Sequence, residues 1–154
     1  MRACRNAAAL ELGRAPATLL LIKPHVVGEK RVGSLLDELA GGGFETAGLQ
    51  LVTLGPKMCH EFFAPYKGVW VRHEDIVAHC LEGPVVAVQV RAAVADLREF
   101  CGPVDITLAK TLRPKSLRAA FGSSVVKNAV HCTDLDDDGF LECNYFFNVL
   151  AGLA

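Results

Sequence analysis

The sequence lacks a long apolar segment, a secretory signal and a strong net charge. Its apolar runs, such as Thr18–Ile22, are far too short to cross a bilayer, and residues 1–16 contain no hydrophobic region of a secretory signal. The 16 Lys and Arg residues are balanced by 17 Asp and Glu, which gives a formal net charge of −1. With this balance, the chain has no overall positive electrostatic field that would attract nucleic acid or membranes. A local anion site remains open, because it needs only a few cations in one place.

The cysteine pattern also lacks the spacing of a zinc site. No two cysteines form a Cys-x-x-Cys pair, and no histidine lies at ligand spacing from two of them; the six positions are 4, 59, 80, 101, 132 and 143. An even number could indicate disulfides. A chain of 154 residues can bury a core without them, so reduced thiols in an intracellular compartment are the favoured interpretation.

The composition and the absence of internal repeats indicate one globular domain with a short tail. Apolar residues make up 51% of the chain and charged residues 21%, which excludes a disordered protein. No internal repeat or low-complexity block is present. Residues 17–152 are predicted to form the domain. Residues 1–16 have the Ala-rich, unpatterned composition of a tail or an interdomain linker, which would fit a fragment of a tandem protein.

Apolar spacing predicts that strands and helices alternate. Predicted strands lie over 18–22, 44–54 and 84–90, and predicted helices lie over 32–39, from 56 onward, 72–81, 92–100 and 139–150. Residues 101–115, with prolines near both ends, are predicted to be a long loop. Residues 125–130 are ambiguous. The order predicts an α/β or α+β sandwich with helices over one sheet.

Two ligand-binding motifs are incomplete. Gly28 and Gly33 have P-loop spacing, but no lysine follows Gly33. The run Asp134–Gly139 matches the first half of an EF-hand loop. One hypothesis is therefore that the chain is a calcium-binding module. The twelfth position, which should supply a bidentate carboxylate, is Tyr145. The favoured alternative is an acidic loop before a helix, where Asp136–Asp138 stabilise the positive end of the helix dipole.

A more specific signal is the motif Asn128-Ala-Val-His131-Cys-Thr133-Asp134. With this motif the chain resembles the nucleoside diphosphate kinase family from about Thr18 to Phe147. The other matching segments, in the family's order, are Ile22-Lys23-Pro24, Gly83-Pro84-Val85-Val86-Ala87 and Arg113–Arg118. The resemblance implies a ferredoxin-like βαββαβ fold, in which helices cover an antiparallel four-stranded sheet.

The resemblance also implies an activity and the residues that carry it. The γ-phosphoryl of a nucleoside triphosphate such as ATP would pass to a nucleoside diphosphate by a ping-pong mechanism, through phosphohistidine at His131. Glu142 would orient the histidine ring. Lys23, Arg98 and Arg118 would bind phosphate, Asn128 would contact the sugar hydroxyl, and Thr133 would replace a family serine. Mg²⁺ would be bound through the nucleotide's phosphates, so no protein metal cage is expected.

Several positions depart from the family pattern. Phe63 occupies a position where the family has a tyrosine near the phosphates, and Val104 occupies a position where the family has a threonine. Each replacement removes a hydroxyl group. The aromatic residue that stacks on the base falls at His73, or at Arg72 if the alignment gap moves. The loop 103–113 is longer than the family's. These departures predict slow but real transfer.

Within the family, the chain resembles most the second of two tandem kinase-like domains in a ciliary member. That likeness implies a location in the axoneme of a cilium or flagellum, with tubulin and other axonemal proteins as partners. It supports a second hypothesis, a structural module of doublet microtubules with weak or no turnover. The sequence ends at Ala154, without the longer C-terminal segment that family members use in subunit contacts, so the usual hexamer is not predicted.

Overall fold

The computed structural model describes residues 16–152, so nearly all of the predicted tail lies outside the described residues. Four strands form one sheet: β1 Thr18–Ile22, β2 Glu45–Val52, β3 Val85–Arg91 and β4 Val130–Cys132. The described residues also form eight α-helices around it: α1 Pro24–Gly28, α2 Val32–Gly41, α3 Pro56–Phe63, α4 His73–Cys80, α5 Val94–Cys101, α6 Ile106–Leu112, α7 Leu117–Phe121 and α8 Asp138–Asn144.

The sheet is entirely antiparallel, with the strand order β2-β3-β1-β4. The predicted antiparallel four-stranded fold is therefore confirmed. Helices α3 and α4 stand between β2 and β3 and extend the simple βαββαβ order. Strands β1 and β3 occupy the centre, which explains why both have nearly continuous apolar sequences: each is buried on two faces.

The core has two layers, one on each face of the sheet. Leu20 and Ile22 of β1 point into the layer formed with α2, α5 and α7. Leu19 and Leu21 point into the other layer, where they pack with α3, α4 and α8. This division follows from the two-residue period of a strand. Position along β1 or β4 therefore decides which layer a side chain enters.

The predicted helices and strands are observed with small changes at their ends, but the predicted loop 101–115 is wrong. It contains α6, whose first turn is capped by the Asp105 carboxylate, which accepts hydrogen bonds from the N–H groups of Thr107 and Leu108 at 2.8 and 3.1 Å. Ile106 and Ala109 bury one face of this helix. The capping residue outweighs the nearby prolines.

The C-terminal part also differs from its prediction as one helix over 139–150. Helix α8 ends at Asn144, and the chain continues through a wider turn over Tyr145–Val149 and a 3₁₀ turn over Leu150–Gly152. Asp138 begins α8, one residue before the predicted start at Gly139. Within residues 16–152, none of the helices combines the length and apolar character needed to cross a membrane.

Candidate active site

His131 lies at the centre of the short strand β4. It pairs with Leu21 of β1 in the antiparallel register, and only 4% of its surface is exposed. Directly paired residues point to the same side of a sheet, so His131 enters the layer of Leu21, whereas its neighbour Cys132 enters the opposite layer. The strand thereby places the imidazole under α3 and α8.

Glu142 of α8 holds one nitrogen of this ring. His131 Nε2 lies 3.2 Å from Oε1 and 3.3 Å from Oε2 of Glu142. The Thr133 hydroxyl donates to Oε2 at 2.8 Å, and the Tyr66 hydroxyl donates to Oε1 at 3.1 Å. Thr133 is itself fixed, because its hydroxyl accepts from the N–H of Leu19 at 3.0 Å. The sequence-predicted pair is therefore in contact and further braced.

The environment of Glu142 keeps its carboxyl group ionised. Burial acts to raise the pKa of Glu142, but the hydrogen bonds and charge of His131, together with the hydroxyls of Thr133 and Tyr66, outweigh burial and lower the pKa below its ordinary value. An ionised carboxylate accepts the Nε2–H of His131. This tautomer leaves the lone pair on Nδ1, the nitrogen that a nucleophile needs.

Four aromatic side chains surround the His131 ring. The centroids of Phe62, Phe63, Tyr66 and Trp70 lie 5.4, 5.7, 5.5 and 6.1 Å from that of the imidazole, and the first two rings meet it edge-on. Packing on this scale excludes water from the ring and holds its orientation. The histidine is thus set in a rigid and largely apolar pocket.

Lys23 follows β1 directly and is 2% exposed. Its ammonium group donates to the carbonyl of Val126 at 3.0 Å, and its backbone N–H donates to the carbonyl of Ala129 at 2.9 Å. Burial lowers the pKa of Lys23 to about 8, assisted by the charge of Arg118 and opposed by Cys80. Lys23 is therefore a desolvated cation beside the segment that leads into His131.

The two predicted arginines have different surroundings. Arg118 is buried and donates to the carbonyl oxygens of Gly102 at 2.5 Å and Val130 at 3.3 Å. Its Nε–H is buried without a partner among the described residues, and burial lowers its pKa. Arg98 is half-exposed and forms an ion pair with Asp134. Arg118 thus reaches the backbone next to His131, and Arg98 is paired just beyond Thr133.

Asn128 and Ala129 make a tight turn before β4. Asn128 is 4% exposed, and its side-chain Oδ1 is buried without a partner among residues 16–152. Ala129 has φ of +73°, and the N–H of Val130 donates to the carbonyl of Asn128 at 3.0 Å. Positive φ is unfavourable for Ala129 because it has a Cβ, so this three-residue turn costs about 1–3 kcal/mol in backbone strain. The strain lies two residues before His131.

Phe63 and His73, like the other buried residues of the predicted nucleotide site, have their rings in contact with neighbouring groups of the protein. Phe63 has no exposed surface and packs against His131. His73 is 6% exposed, and its Nε2 lies 2.9 Å from the carbonyl oxygen of Phe63. Its ring connects the start of α4 to α3, and this position does not support the predicted stacking on a base. The alternative alignment, Arg72, lies at the surface.

An open cleft of about 540 Å³ separates α4 from the segment over residues 124–127. Arg72 and Lys127 supply cations at its wall, and Asp75, His79 and Glu82 supply acidic and imidazole groups. The same segment carries Val126, whose carbonyl holds Lys23. The cleft is therefore bordered by the segment that holds Lys23 and leads in sequence to Asn128.

The acidic groups near His131 are engaged by protein donors. Glu142 accepts from three donors and Asp134 is paired with Arg98. In the described part of the chain, no group of three or more His, Cys, Asp or Glu side chains is arranged to hold a metal ion.

Comparison with known proteins identifies the family. The profile described as nucleoside diphosphate kinase matches residues 16–150. The Aquifex aeolicus nucleoside diphosphate kinase is 30% identical over 135 residues, which make up 86% of this chain and 94% of that protein. Its crystal structure superposes with a TM-score of 0.82 at 29% identity, covering 88% of this chain and 97% of that one. The chain belongs to the nucleoside diphosphate kinase family.

A more similar relative is nucleoside diphosphate kinase homolog 7 of Rattus norvegicus. It is 42% identical over 135 residues, 86% of this chain and 34% of that protein, so the chain spans about a third of this relative's length. The predicted resemblance to a divergent family member is confirmed. A Halobacterium salinarum nucleoside diphosphate kinase, solved in complex with CDP, shares the fold with a TM-score of 0.77 at 22% identity, covering 88% of this chain and 89% of that one.

Two side chains of the pocket were not predicted from the sequence. Tyr66 lies in the 3₁₀ turn Ala64–Tyr66 after α3 and contacts Glu142. Trp70 stacks on Tyr66, with 4.1 Å between ring centroids and 23° between planes. Their four-residue spacing after two phenylalanines was an available signal of a shared aromatic cluster, but it does not point to a carboxylate 76 residues away.

Proposed function

We propose that this domain is a nucleoside diphosphate kinase that works through phosphohistidine at His131. The observation that carries the proposal is the contact of His131 Nε2 with Glu142, 3.2 Å from Oε1, which fixes the tautomer with a free lone pair on Nδ1. Membership of the family supports phosphoryl transfer between nucleotides.

In the first step, the Nδ1 lone pair attacks the γ-phosphorus of a nucleoside triphosphate such as ATP. The Nδ1–P bond forms as the bond from γ-phosphorus to the bridging oxygen breaks, and the diphosphate leaves with that electron pair. The ring becomes cationic, and Glu142 stabilises it through Nε2–H. In the second step, a terminal oxygen of another nucleoside diphosphate takes the phosphoryl group and regenerates neutral His131.

The cations act on the phosphate oxygens. Lys23 lies beside the turn that enters β4, and its desolvated ammonium interacts strongly with an anion. Arg118 offers its unpaired Nε–H, and Arg98 would exchange Asp134 for a phosphate oxygen. Mg²⁺ on the nucleotide's phosphates would supply further positive charge beside these cations.

The cleft beside α4 is the proposed entrance for the nucleotide. Arg72 presents a planar guanidinium at its wall, which can stack on a base where the family has an aromatic ring. Asn128, with an unpaired buried Oδ1, would accept a hydrogen bond from a sugar hydroxyl. Val104 is half-exposed and supplies no hydroxyl, so transfer is expected to be slower than with the family's threonine.

The test is transfer of label from γ-labelled ATP to the purified chain, followed by a chase with GDP. Wild type should acquire acid-labile, alkali-stable label that moves to GDP. His131→Asn should acquire none, whereas His60→Asn, which removes an exposed histidine of α3, should behave as wild type. Equal labelling of wild type and His131→Asn would reject the mechanism.

We also propose, as a second candidate, a structural role in the axoneme of a cilium or flagellum, with tubulin and other axonemal proteins as partners. The likeness to homolog 7 supports this candidate, as do Leu49 and Leu51, which are 52% and 62% exposed on the edge strand β2. Replacing both with serine should abolish axonemal localisation, while His131→Asn should preserve it. The reverse pattern would reject this role.

A further inference from the structure

The hydroxyl of Tyr66 shares a carboxylate oxygen with the proposed nucleophile. It donates to Oε1 of Glu142 at 3.1 Å, and the same oxygen lies 3.2 Å from Nε2 of His131. Thr133 holds the other oxygen at 2.8 Å. The carboxylate is therefore fixed at both of its oxygens, and its plane cannot turn away from the imidazole without breaking one of these bonds.

The Tyr66 ring is itself held in place. It is 9% exposed, it stacks on Trp70 at 4.1 Å, and its centroid lies 5.5 Å from that of His131. Phe63 contacts it from α3, with 6.3 Å between centroids. A ring packed on three sides keeps its hydroxyl at one point, so the hydrogen bond to Glu142 is pre-formed and needs no reorganisation during transfer.

The charged groups around Tyr66 keep it a hydrogen-bond donor. Burial raises the pKa of Tyr66, and the charges of Glu142 and Asp138 raise it further, while Arg98 opposes them. The phenol therefore stays protonated throughout the physiological range. It can only withdraw electron density from the Glu142 carboxylate, as a donor on a shared acceptor does.

We propose that Tyr66 is a positioning residue that sets both the orientation and the basicity of Glu142, and through it the proton affinity of His131. This inference rests on the proposed function for its kinetic consequence, but its effect on proton binding stands without turnover. With Tyr66 present, the carboxylate is a weaker acceptor and stabilises a protonated His131 ring less. Without Tyr66, the carboxylate would rotate more freely and His131 would protonate more readily.

The test compares Tyr66→Phe with Tyr145→Phe. These are the two tyrosines of the chain, and the Tyr145 hydroxyl donates to the carbonyl of Met58 and to Glu61, both at 3.2 Å, away from Glu142. Tyr66→Phe should lower the rate of phosphorylation about tenfold, because losing the hydrogen bond that fixes the Glu142 carboxylate costs more than its stronger acceptance of Nε2–H gains. The KM for ATP should stay within about twofold, because the Tyr66 hydroxyl is directed at Glu142 and the substitution removes that hydroxyl alone. Tyr145→Phe should change neither.

Proton binding by His131 distinguishes a positioning role of Tyr66 from a purely structural one, because a purely structural role would not change it. Titration of His131 by nuclear magnetic resonance in the whole chain should show a higher pKa in Tyr66→Phe, and the acid limb of the pH–rate profile should move the same way. In the Tyr145→Phe background, incorporation of 3-fluorotyrosine alters Tyr66 alone. Its more acidic phenol is a stronger donor, so the His131 titration should move to lower pH.

These measurements separate failure of the inference from failure of the proposed function. An unchanged His131 titration in folded Tyr66→Phe, or an equal change in Tyr145→Phe, would overturn the inference. If the wild-type chain takes no label, but the Tyr66 variants show the predicted shifts in the His131 titration, the proposed kinase is overturned and the positioning role is not. If Tyr66→Phe does not fold, the fluorotyrosine titration decides, and no shift there would overturn the inference.

Discussion

Gly139 and Ala17 approach so closely that a Cβ on Gly139 would lie 2.3 Å from the carbonyl oxygen of Ala17. The contact joins the start of α8 to the residue before β1, and α8 carries Glu142. A glycine at this position therefore decides how near the orienting carboxylate can come to the sheet.

Gly139→Ala is expected to lower the free energy of unfolding by about 1–3 kcal/mol, because the backbone oxygen cannot move aside without shifting α8. The same shift should reduce phosphorylation of His131. Gly28→Ala is the control: a Cβ there meets no atom within 4 Å, so stability should hold or rise by up to about 1 kcal/mol. Chemical denaturation measures both. Equal stability of the two variants would contradict the close contact.

Glu142→Gln should slow phosphorylation of His131 by about 10- to 100-fold, which corresponds to losing a hydrogen bond to a charged group. The amide is a weaker acceptor for Nε2–H and cannot stabilise the cationic ring by charge. Single-turnover labelling with ATP gives the rate, and ADP binding should be unchanged. Glu61→Gln, which alters an exposed carboxylate of α3, is the matched control, and a comparable loss there would refute the assignment.

Binding of Mg-ADP at pH 8.5 should take up a proton on Lys23. The free chain has a Lys23 pKa of about 8 because of burial, so the amine is mostly neutral at that pH. Phosphate oxygens nearby raise the pKa and restore the charge. Calorimetry in two buffers of different ionisation enthalpy measures the uptake. Lys23→Gln should remove it, and buffer-independent heats in wild type would show that Lys23 does not meet the phosphates.

A histidine pair beside the wall of the α4 cleft predicts acid sensitivity. His25 Nδ1 lies 2.9 Å from His79 Nε2, and His79 Nδ1 lies 2.7 Å from Glu82. Burial and then His79 lower the pKa of His25 to about 4, and burial also lowers that of His79. Between about pH 6.5 and pH 4 the unfolded chain binds protons that the folded chain does not, so stability falls as the pH falls.

Urea unfolding at pH 7, 6 and 5 checks this, above the range in which carboxylates titrate. Wild type should lose stability steadily over that interval. His25→Asn should flatten the dependence, whereas His60→Asn should leave it unchanged, because His60 is exposed. A wild-type stability that does not vary from pH 7 to pH 5 would contradict the buried pair.

Local sequence patterns predicted most of the fold. Strands β1 and β3 are buried on both faces, so continuous apolar runs marked them. Strand β4 has only three residues, too few to show a period, and its place came from resemblance to the family. Helix α6 was missed because Pro103 and Pro114 suggested a loop, although Asp105 is a recognisable N-cap.

The site was predicted where a motif keeps its spacing and missed where contacts depend on the tertiary fold. His131 and Glu142 lie 11 residues apart and meet as expected. Tyr66 reaches Glu142 across 76 residues, which no local pattern can indicate. For His73, alignment with the family predicted stacking on the base of a nucleotide. In the structure, its Nε2 instead lies within hydrogen-bond distance of the Phe63 carbonyl oxygen.

The most direct test of the account is to identify the nitrogen that carries the phosphoryl group. The whole chain, with ¹⁵N-labelled histidine rings, is phosphorylated by ATP and examined by nuclear magnetic resonance. Because Nε2 of His131 faces Glu142 at 3.2 Å, the account predicts phosphorus on Nδ1 of His131 and on no other histidine. Phosphorus on Nε2, on another residue, or on none in a folded chain would contradict it.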